Sequence, residues 1–311
     1  MWLLLWVAAT LILIRMLNKL SNGRCYADTV MSGKVVIVTG ANSGIGYATA
    51  LELARRGAKV IAACRDDERG KAAVSSIIKR TGNQSVKYIH LDLSSFDSIR
   101  KFVEEFKSSE AKLDVLINNA GAGGLGRKKT ADGIVRDMQV NHFGPFLLTL
   151  LLVPILRKSA PSRVVIVSSI LHKFGTIARI NEENAYGYFQ TYCNSKLCNV
   201  LFSNELARRL EGTGVVVNSL HPGQVNTSLY KATALEKLRS LVLYTFFKSP
   251  EEGAQTSIYL AVSDECDLVS GRYFADCEEG NMSAKARDEG LAKRLWSMSE
   301  QLVKLRPEEA I

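Results

Sequence analysis

The sequence has few cysteines and histidines, and none of them is grouped. Six cysteines are spread over 311 residues without a CxxC pair, and the four histidines are equally scattered. Metal sites and disulfide frameworks both need such residues at close, defined spacings. We therefore expect no metal and no disulfide-stapled miniprotein, and we interpret the cysteines as free thiols in a reducing compartment.

Long blocks of one charge and low-complexity tracts are also missing. The formal net charge is +9, from 40 Lys and Arg against 31 Asp and Glu, but no run of basic residues is interleaved with aromatics. A basic protein can bind nucleic acid or an anionic membrane, and without such a run we predict no nucleic-acid partner. Hydrophobic residues make up 47% and charged residues 23%, which is typical of a globular protein.

Apolar residues are concentrated at the N-terminus. Residues 1–14 are almost wholly apolar, and Arg15, Lys19 and Arg24 follow them rather than precede them. A cleaved secretory signal has its positive charge first, so this order favours an uncleaved anchor that leaves the rest of the chain in the cytosol. We predict a membrane anchor over residues 1–20. Its length is at the low end of the ~17 to 25 residues that a spanning helix needs, so spanning and in-plane insertion both stay open.

Short β-branched runs alternate with amphipathic stretches after the anchor, as in βαβ units. No repeat or proline-rich linker divides residues 33–283, so we predict an α/β fold with a single doubly wound parallel sheet of about seven strands, followed by a helical tail over 284–311. The apolar run 143–156 contains two prolines and is too short to span a membrane, which predicts a buried helix. The predicted strands are 34–39, 59–64, 86–91, 113–118, 163–168, 215–220 and 271–275.

A glycine-rich turn, Thr-Gly-Ala-Asn-Ser-Gly-Ile-Gly over residues 39–46, follows the first predicted strand. Glycines allow a tight turn and let backbone N–H groups approach a pyrophosphate, and the N-terminus of the following helix favours an anion. The spacing Gly-x-x-x-Gly-x-Gly differs from the usual dinucleotide pattern. Because a strand precedes the turn and a helix-like stretch follows it, we still predict a dinucleotide site.

The end of the second predicted strand indicates which dinucleotide is bound. An acidic residue there would bind the ribose hydroxyls of NAD, whereas an arginine suits the 2′-phosphate of NADP. Cys64 occupies the strand end and Arg65 follows it. This order predicts NADP(H). The alternative is that Arg65 forms a solvated ion pair with Asp66 or Asp67.

Tyr192 and Lys196 are candidates for proton transfer. Hydride transfer to or from a nicotinamide needs a protein group that gives or takes the hydroxyl proton. The two residues are four apart, on one face of a predicted helix. A neighbouring ammonium stabilises the phenolate, which lowers the pKa of the phenol toward the pH at which the enzyme would work. Ser168 and Ser169 end the fifth predicted strand, where alternation directs only one of them inward.

The chain resembles the classical short-chain dehydrogenase/reductase superfamily over about residues 34–274. Finer features such as ACRD, HLDLSS, VNHFGPFLLT and YCNSK are similar to the microsomal retinol dehydrogenase group. One departure is Ala122-Gly123-Gly124, where bulkier apolar residues are expected, and it leaves the shape of the substrate pocket open. The resemblance rests on four motifs in the family order, namely residues 39–46, Asn118-Asn119-Ala120-Gly121, Tyr192-x-x-x-Lys196 and His221-Pro222-Gly223.

The resemblance implies a role for each matching residue. It selects Ser169, rather than Ser168, to hold the substrate oxygen, and Lys196 to bind the nicotinamide ribose. Asn141 would hold a water that links the lysine to solvent, although a side chain that kinks or caps a helix is compatible with the same position. A substrate lid is expected over 224–250. The implied cofactor-binding residues are Gly40, Asn42, Ser43, Gly44, Ile45, Gly46, Arg65, Asp92, Asn119, Ala120, Gly121, Tyr192, Lys196, Pro222, Gly223 and Thr227.

The function expected from this resemblance is an NADP(H)-dependent oxidoreductase that interconverts a lipophilic alcohol and its aldehyde, with retinol and retinal as the first choice. A steroid, farnesol or a lipid-peroxidation aldehyde is the alternative substrate, and a non-catalytic nucleotide-binding scaffold is the alternative of another class. The expected location is the endoplasmic reticulum membrane with the catalytic domain facing the cytosol. A homodimer is compatible with the sequence.

Overall fold

The computed structural model describes residues 22–126, 128–225 and 247–311, together with residues 2, 6, 10, 15, 16 and 19. The described residues therefore exclude most of the predicted anchor. They also exclude residues 226–246 of the predicted lid, which contain Thr227. The described residues before 20 are helical, and Trp2 and Trp6 expose 74% and 72% of their surface.

The centre of the protein is a sheet of eight strands in the order β3-β2-β1-β4-β5-β6-β7-β8. All neighbouring strands are parallel except the last pair. The predicted parallel α/β fold is confirmed. The strands are β1 Val35–Thr39, β2 Lys59–Cys64, β3 Val86–His90, β4 Val115–Asn118, β5 Ser162–Val167, β6 Val215–His221, β7 Tyr273–Ala275 and β8 Glu278–Glu279.

The predicted number of seven strands was wrong because β8 has no recognisable sequence signal. It is only two residues long and both are exposed, so no alternation of apolar and polar residues marks it. It pairs antiparallel with β7 through a two-residue turn, Asp276-Cys277, whose φ angles are 53° and 63°. Such turns are usually recognised by Asn-Gly or Asp-Gly, and the turn here lacks the glycine.

Helices cover both faces of the sheet. One core contains side chains of α1, α2 and α6, and the other contains those of α3, α4, α5 and α8. This arrangement is the doubly wound one that the alternating sequence pattern predicted. The helices are α1 Gly44–Arg55, α2 Asp67–Thr81, α3 Phe96–Ser109, α4 Arg136–Lys158, α5 Tyr188–Arg209, α6 Pro250–Val262, α7 Ala284–Arg287 and α8 Glu289–Leu302.

Helix α4 contains the apolar run that could be mistaken for a membrane span. Among the described residues it is the one helix long and apolar enough to cross a bilayer, but 83% of its apolar window is buried inside the protein. The prediction of a core helix over 143–156 is confirmed. A π-helical turn at Gln139–Phe143 distorts the helix just before this run.

The C-terminal segment 284–311 is helical and packs against the rest of the protein. Trp296 of α8 is 1% exposed, and its ring packs edge-on against Phe146 of α4 at a centroid distance of 5.1 Å. The guanidinium of Arg209 lies 4.1 Å from the ring centroid, a favourable cation–π distance. Side chains of α8 therefore share one hydrophobic core with α4 and α5.

Candidate active site

A cleft of about 640 Å³ lies at the carboxyl ends of the first strands of the sheet. In open parallel sheets ligands bind where the strand order reverses, which here is between β1 and β4. The glycine-rich turn, the end of β2 and residues 119–125 line the cleft. A second cavity of about 800 Å³ opens at the start of β6 and contains none of the predicted site residues.

The glycines of the turn meet two different steric requirements. Gly40 and Gly44 have φ angles of 68° and 56°, a region that side chains with a Cβ disfavour. Gly46 is required for close packing, since a Cβ there would lie 2.4 Å from both the Gly40 carbonyl oxygen and Asn119 Nδ2. The turn therefore keeps this shape only with glycine at these positions.

The N-terminus of α1 opens into the cleft and is neither capped by its N-cap side chain nor followed by an acidic residue in its first turn. Ser43 is the N-cap residue, but its side chain accepts no hydrogen bond from the helix, and the first turn contains no acidic residue. Ser43, Gly44, Ile45 and Gly46 all line the cleft. The first N–H groups of a helix need an acceptor and favour negative charge. These residues fit the pyrophosphate of a dinucleotide.

Thr39 joins the ends of β1 and β4. Its hydroxyl oxygen accepts hydrogen bonds from the N–H groups of Asn119 (3.0 Å) and Ala120 (2.9 Å). The Asn119 amide in turn donates to the Thr39 carbonyl at 2.8 Å. Sequence analysis named Asn119, Ala120 and Gly121, which line the cleft, but missed Thr39, although it begins the glycine-rich motif.

Arg65 lines the cleft at the end of β2, and its predicted alternative partners are engaged elsewhere. Asp66 caps α2 by accepting from the Arg69 N–H at 3.0 Å, and Asp67 accepts from the Tyr88 hydroxyl at 2.6 Å. No ion pair to Arg65 is present in the described part of the chain. Arg69 is a second cation of the cleft that sequence analysis missed. Its spacing of four residues from Arg65 could have indicated it.

Asp92 lines the cleft beyond β3. Its Oδ1 accepts hydrogen bonds from the N–H and the hydroxyl of Ser94, at 2.9 and 2.7 Å. The carboxylate of this residue, which the resemblance assigns to cofactor binding, is therefore held in place by its own loop.

The cysteines are all free thiols, as the sequence predicted. Burial raises the pKa of Cys64, which lies in the cleft, to about 11, so its thiol stays protonated at neutral pH. Where the structure describes the chain, no three His, Cys, Asp or Glu side chains are grouped closely enough to hold a metal ion.

Helix α5 places Tyr192 and Lys196 together. Lys196 Nζ lies 5.5 Å from the centroid of the Tyr192 ring, and the lysine is only 3% exposed. Its ammonium donates to the carbonyl of Val167 at 3.1 Å. Burial lowers the pKa of Lys196 to about 8, so the charged form still predominates at neutral pH. A buried cation beside a phenol is the arrangement that stabilises a phenolate.

The two adjacent serines after β5 differ in their hydrogen bonds. The Ser168 hydroxyl donates to the carbonyl of Lys196 at 2.7 Å and thereby fastens α5 to the sheet. Ser169 Oγ accepts from the Leu171 N–H at 3.2 Å. Within the described residues the Ser169 hydroxyl donates to no acceptor, so it can donate a hydrogen bond to a ligand.

Asn141 lies in the π-helical turn of α4 and is 1% exposed. Its side chain pairs with both backbone groups of Ala122, accepting from the N–H and donating to the carbonyl at 2.8 Å each. It also donates to Ser195 Oγ at 3.1 Å. The helix is distorted at Asn141, as one interpretation expected, and the side chain ties α4 to the loop after β4 and to α5.

The unusual segment Ala122-Gly123-Gly124 is held by backbone contacts. Besides the pairing of Ala122 with Asn141, the Asp137 carboxylate accepts from the N–H groups of Gly124 (3.1 Å) and Leu125 (2.8 Å). No bulky side chain is needed for these contacts. The backbone contacts therefore hold this segment whatever the size of its side chains.

Gly223 follows β6 at the same edge of the sheet, after Pro222. Its φ is 87°, and a Cβ there would lie 2.6 Å from Lys248 Cδ. The Lys248 N–H donates to the Gln224 carbonyl at 2.7 Å, and Val225 pairs with Lys248 as a parallel bridge. The two ends of the predicted lid are thus joined.

Comparison with known proteins agrees with this geometry. The family pattern described as short chain dehydrogenase matches residues 34–237. Retinol dehydrogenase 11 of Homo sapiens is 46% identical over 288 residues, covering 92% of this chain and 91% of that protein. An uncharacterized protein of Mycobacterium paratuberculosis has a similar crystal structure, with a TM-score of 0.73, 36% identity and coverage of 91% and 98%.

A second solved structure is the complex of RhlG from Pseudomonas aeruginosa with NADP. It has a TM-score of 0.64 and 26% identity, and the match covers 86% of this chain and 99% of that one. The resemblance to short-chain dehydrogenases, and among them to retinol dehydrogenases, is confirmed. With the family pattern matched over most of the chain and a close relative matched almost end to end, this protein belongs to the short-chain dehydrogenase family of oxidoreductases.

Proposed function

We propose that this protein is an NADP(H)-dependent oxidoreductase that interconverts retinol and retinal. We place it at the endoplasmic reticulum membrane, held by residues 1–20, with the catalytic domain facing the cytosol. The observation that carries the proposal is the 46% identity to human retinol dehydrogenase 11 over 92% of the chain. The Lys196 ammonium beside the Tyr192 ring supports the chemistry.

The cleft supports the choice of cofactor. The uncapped N-terminus of α1 would hold the pyrophosphate, and Arg65, with Arg69 nearby in the cleft, would hold the 2′-phosphate of NADP. The structural neighbour solved with NADP agrees with this choice. When bound, the nicotinamide supplies or accepts the hydride.

The protein would supply the proton and hold the reacting oxygen. In aldehyde reduction, the Tyr192 hydroxyl gives its proton to the substrate oxygen, and in alcohol oxidation it takes that proton back. The Lys196 ammonium stabilises the phenolate formed in the first direction. The Ser169 hydroxyl donates a hydrogen bond to the same oxygen, and Asn141 fixes the loop that faces it.

A substrate panel tests the proposal. The purified full-length protein is assayed with all-trans-retinal, farnesal and a ketosteroid, each with NADPH and with NADH. We expect the highest kcat/KM with retinal and NADPH. A higher value for farnesal or the steroid would replace the retinoid by another lipid, and turnover of none of them would favour a nucleotide-binding scaffold.

Arg65→Asp is expected to move cofactor preference from NADPH toward NADH. The change removes the partner of the 2′-phosphate and provides an acceptor for a ribose hydroxyl. A charge-assisted contact of this kind contributes about 1.5 to 3 kcal/mol, which corresponds to roughly 10- to 150-fold in the NADPH/NADH ratio of kcat/KM.

Lys79→Asp is the matched control for the cofactor experiment. Lys79 is exposed in the last turn of α2, outside the cleft, so this variant changes the net charge by the same amount. It should retain the NADPH preference. An unchanged ratio in Arg65→Asp, or an equal change in both variants, would show that Arg65 does not bind the phosphate.

The glycosylation sequons at Asn83, Asn226 and Asn281 report the orientation in the membrane. With a cytosolic domain, we expect no mobility shift when the protein expressed in cells is treated with an endoglycosidase. Asn281 is exposed and is the most informative position, whereas the Asn83 amide already donates to the carbonyls of Ala54 and Ala58.

A version in which a cleavable secretory signal replaces residues 1–20 provides the control for orientation. Its domain is delivered to the lumen, where Asn281 should be glycosylated and the band should shift. A glycan on the natural chain would place the domain in the lumen and reject the proposed topology.

A further inference from the structure

The chain between the apolar N-terminus and β1 is fastened to the domain. We call residues 22–31 the strap. The Gly23 N–H donates to Asp276 Oδ1 and the Cys25 N–H to Gln255 Oε1, each at 3.1 Å. The Ala27 carbonyl accepts from the Arg56 guanidinium. Contacts at every second residue leave this part of the tether little freedom, so the place where the apolar segment joins the domain is defined.

Arg15 is also bound to the domain, and it is the first charged residue after the apolar run. Its guanidinium binds both carboxylate oxygens of Glu252, at 3.0 and 3.2 Å, and also reaches the Phe247 carbonyl at 3.3 Å. Arg15 is 8% exposed. A bidentate pair of a guanidinium and a carboxylate has a defined geometry, so this contact fixes where the end of the apolar segment lies on the domain.

Glu252 also organises the start of α6. It forms a capping box with Ser249, in which the Ser249 N–H donates to Glu252 Oε2 at 2.7 Å and the Glu252 N–H donates to Ser249 Oγ. Lys248, the residue before Ser249, donates its N–H to the carbonyl of Gln224, three residues after the end of β6. The Arg15 contact therefore lies at the carboxyl edge of the sheet, on the side of the candidate active site.

Exposed aromatic side chains lie on the same edge. Phe174 and Phe189 are each 63% exposed, and Tyr188 is 50% exposed. Phe174 ends the turn that begins after Ser169, and the other two begin α5, one turn before Tyr192. The Gln190 side chain links the two segments by donating to the Phe174 carbonyl at 2.8 Å. We call Phe174, Tyr188 and Phe189 the aromatic rim.

We propose that Arg15 is a positioning residue that, with the strap, docks the domain on the bilayer with the aromatic rim facing the lipid. A lipophilic substrate would then pass from the membrane to Tyr192 without crossing water. We take the bilayer as the partner of the rim because the apolar run 1–14 leads directly into Arg15. A segment inserted in the membrane would therefore hold this edge of the domain against the bilayer. Exposed apolar patches mark interaction surfaces, including membrane-binding ones, and tyrosine is enriched at membrane–water interfaces. This inference rests on the proposed anchor and lipid substrate.

Hydrogen exchange of the full-length protein in phosphatidylcholine nanodiscs tests the dock. Amides of 171–176 and 188–191 should exchange more slowly in nanodiscs than in detergent. Arg15→Gln should remove this protection and increase exchange at 247–252. Lys19→Gln, the control, removes an exposed charge one turn away and should behave as wild type. The conservative variant Arg15→Lys, which keeps a cation opposite Glu252 and leaves the capping box intact, should retain protection.

Unchanged exchange at 247–252 in Arg15→Gln would show that the contact with Glu252 does not hold the segment. Equal exchange of the rim in nanodiscs and in detergent would show that the rim does not face lipid. Rim protection that appears in detergent and rises with protein concentration would assign the rim to a second copy of the chain. Each of these results overturns the proposal.

Kinetics test the positioning role. For all-trans-retinal presented in phosphatidylcholine vesicles, Arg15→Gln should raise KM by about fivefold or more, a coupling typical of linked sites. Its kcat, and its KM for the same aldehyde in detergent micelles, should stay unchanged. If Arg15→Gln raises KM equally in vesicles and in micelles, or raises it in neither, the positioning role is rejected. If the wild-type protein turns over no retinal, the proposed function fails while the exchange experiment still decides the dock.

Discussion

Tyr192→Phe is expected to reduce turnover by about 10²- to 10⁴-fold, the usual contribution of a positioned acid or base. The ring still packs on α5 and still lies beside Lys196, so the local structure should persist. Only the transferable proton is lost. We therefore expect kcat to fall while the Kd for NADPH, measured by fluorescence titration, changes little.

Tyr259→Phe provides a matched control. It also removes a phenolic hydroxyl, but from α6 and away from the cleft, where the phenol donates to Glu265 at 2.7 Å. This variant should retain full turnover. Activity of Tyr192→Phe within a few-fold of wild type would exclude Tyr192 as the proton donor, whatever the control shows.

Lys196→Met should be the second variant with a very large effect. It removes the ammonium beside the phenol and the expected contact to the nicotinamide ribose, so both turnover and cofactor affinity should fall, with a loss of about 10²-fold or more in kcat. Stopped-flow and binding measurements separate the two effects. A loss of turnover with unchanged cofactor affinity would contradict the ribose contact.

The same variant should not be less stable than wild type at neutral pH. Burial lowers the pKa of Lys196 from 10.5 to about 8, so between these values the unfolded chain binds more protons than the folded one. The contribution of Lys196 to the stability of the cofactor-free wild type should therefore rise with pH across this window, so any stability advantage of Lys196→Met should shrink. Methionine at 196 removes that rise. The Val167 carbonyl keeps the Asn199 amide as a donor at 3.4 Å.

Thermal melting of both proteins, without cofactor, at about pH 7 and about pH 10 measures this difference. Lys79→Met, at an exposed lysine, is the control and should follow the wild type. If Lys196→Met melts at a lower temperature than wild type at both pH values, the lysine serves as a structural donor rather than a buried, destabilised cation.

The sequence alone determined the fold class and the position of the main candidate residues. Strand β2 has the predicted bounds and the other six predicted strands are displaced by at most two residues at either end, because parallel strands buried on both faces are continuous β-branched runs bounded by polar residues. The glycine turn was recognisable because backbone geometry requires glycine at Gly40 and Gly44. The spacing of Tyr192 and Lys196 fixed their common face on α5.

Only the tertiary structure decided the features that depend on contacts between distant parts of the chain. It showed that Ser168 bonds the Lys196 carbonyl, that Asp67 pairs with Tyr88 and not with Arg65, and that Arg15 pairs with Glu252. Burial of a charge or the partner of a hydroxyl depends on which segments meet in space. Local patterns encode the conformation of a segment, but these partners lie up to 237 residues apart and no local pattern specifies them.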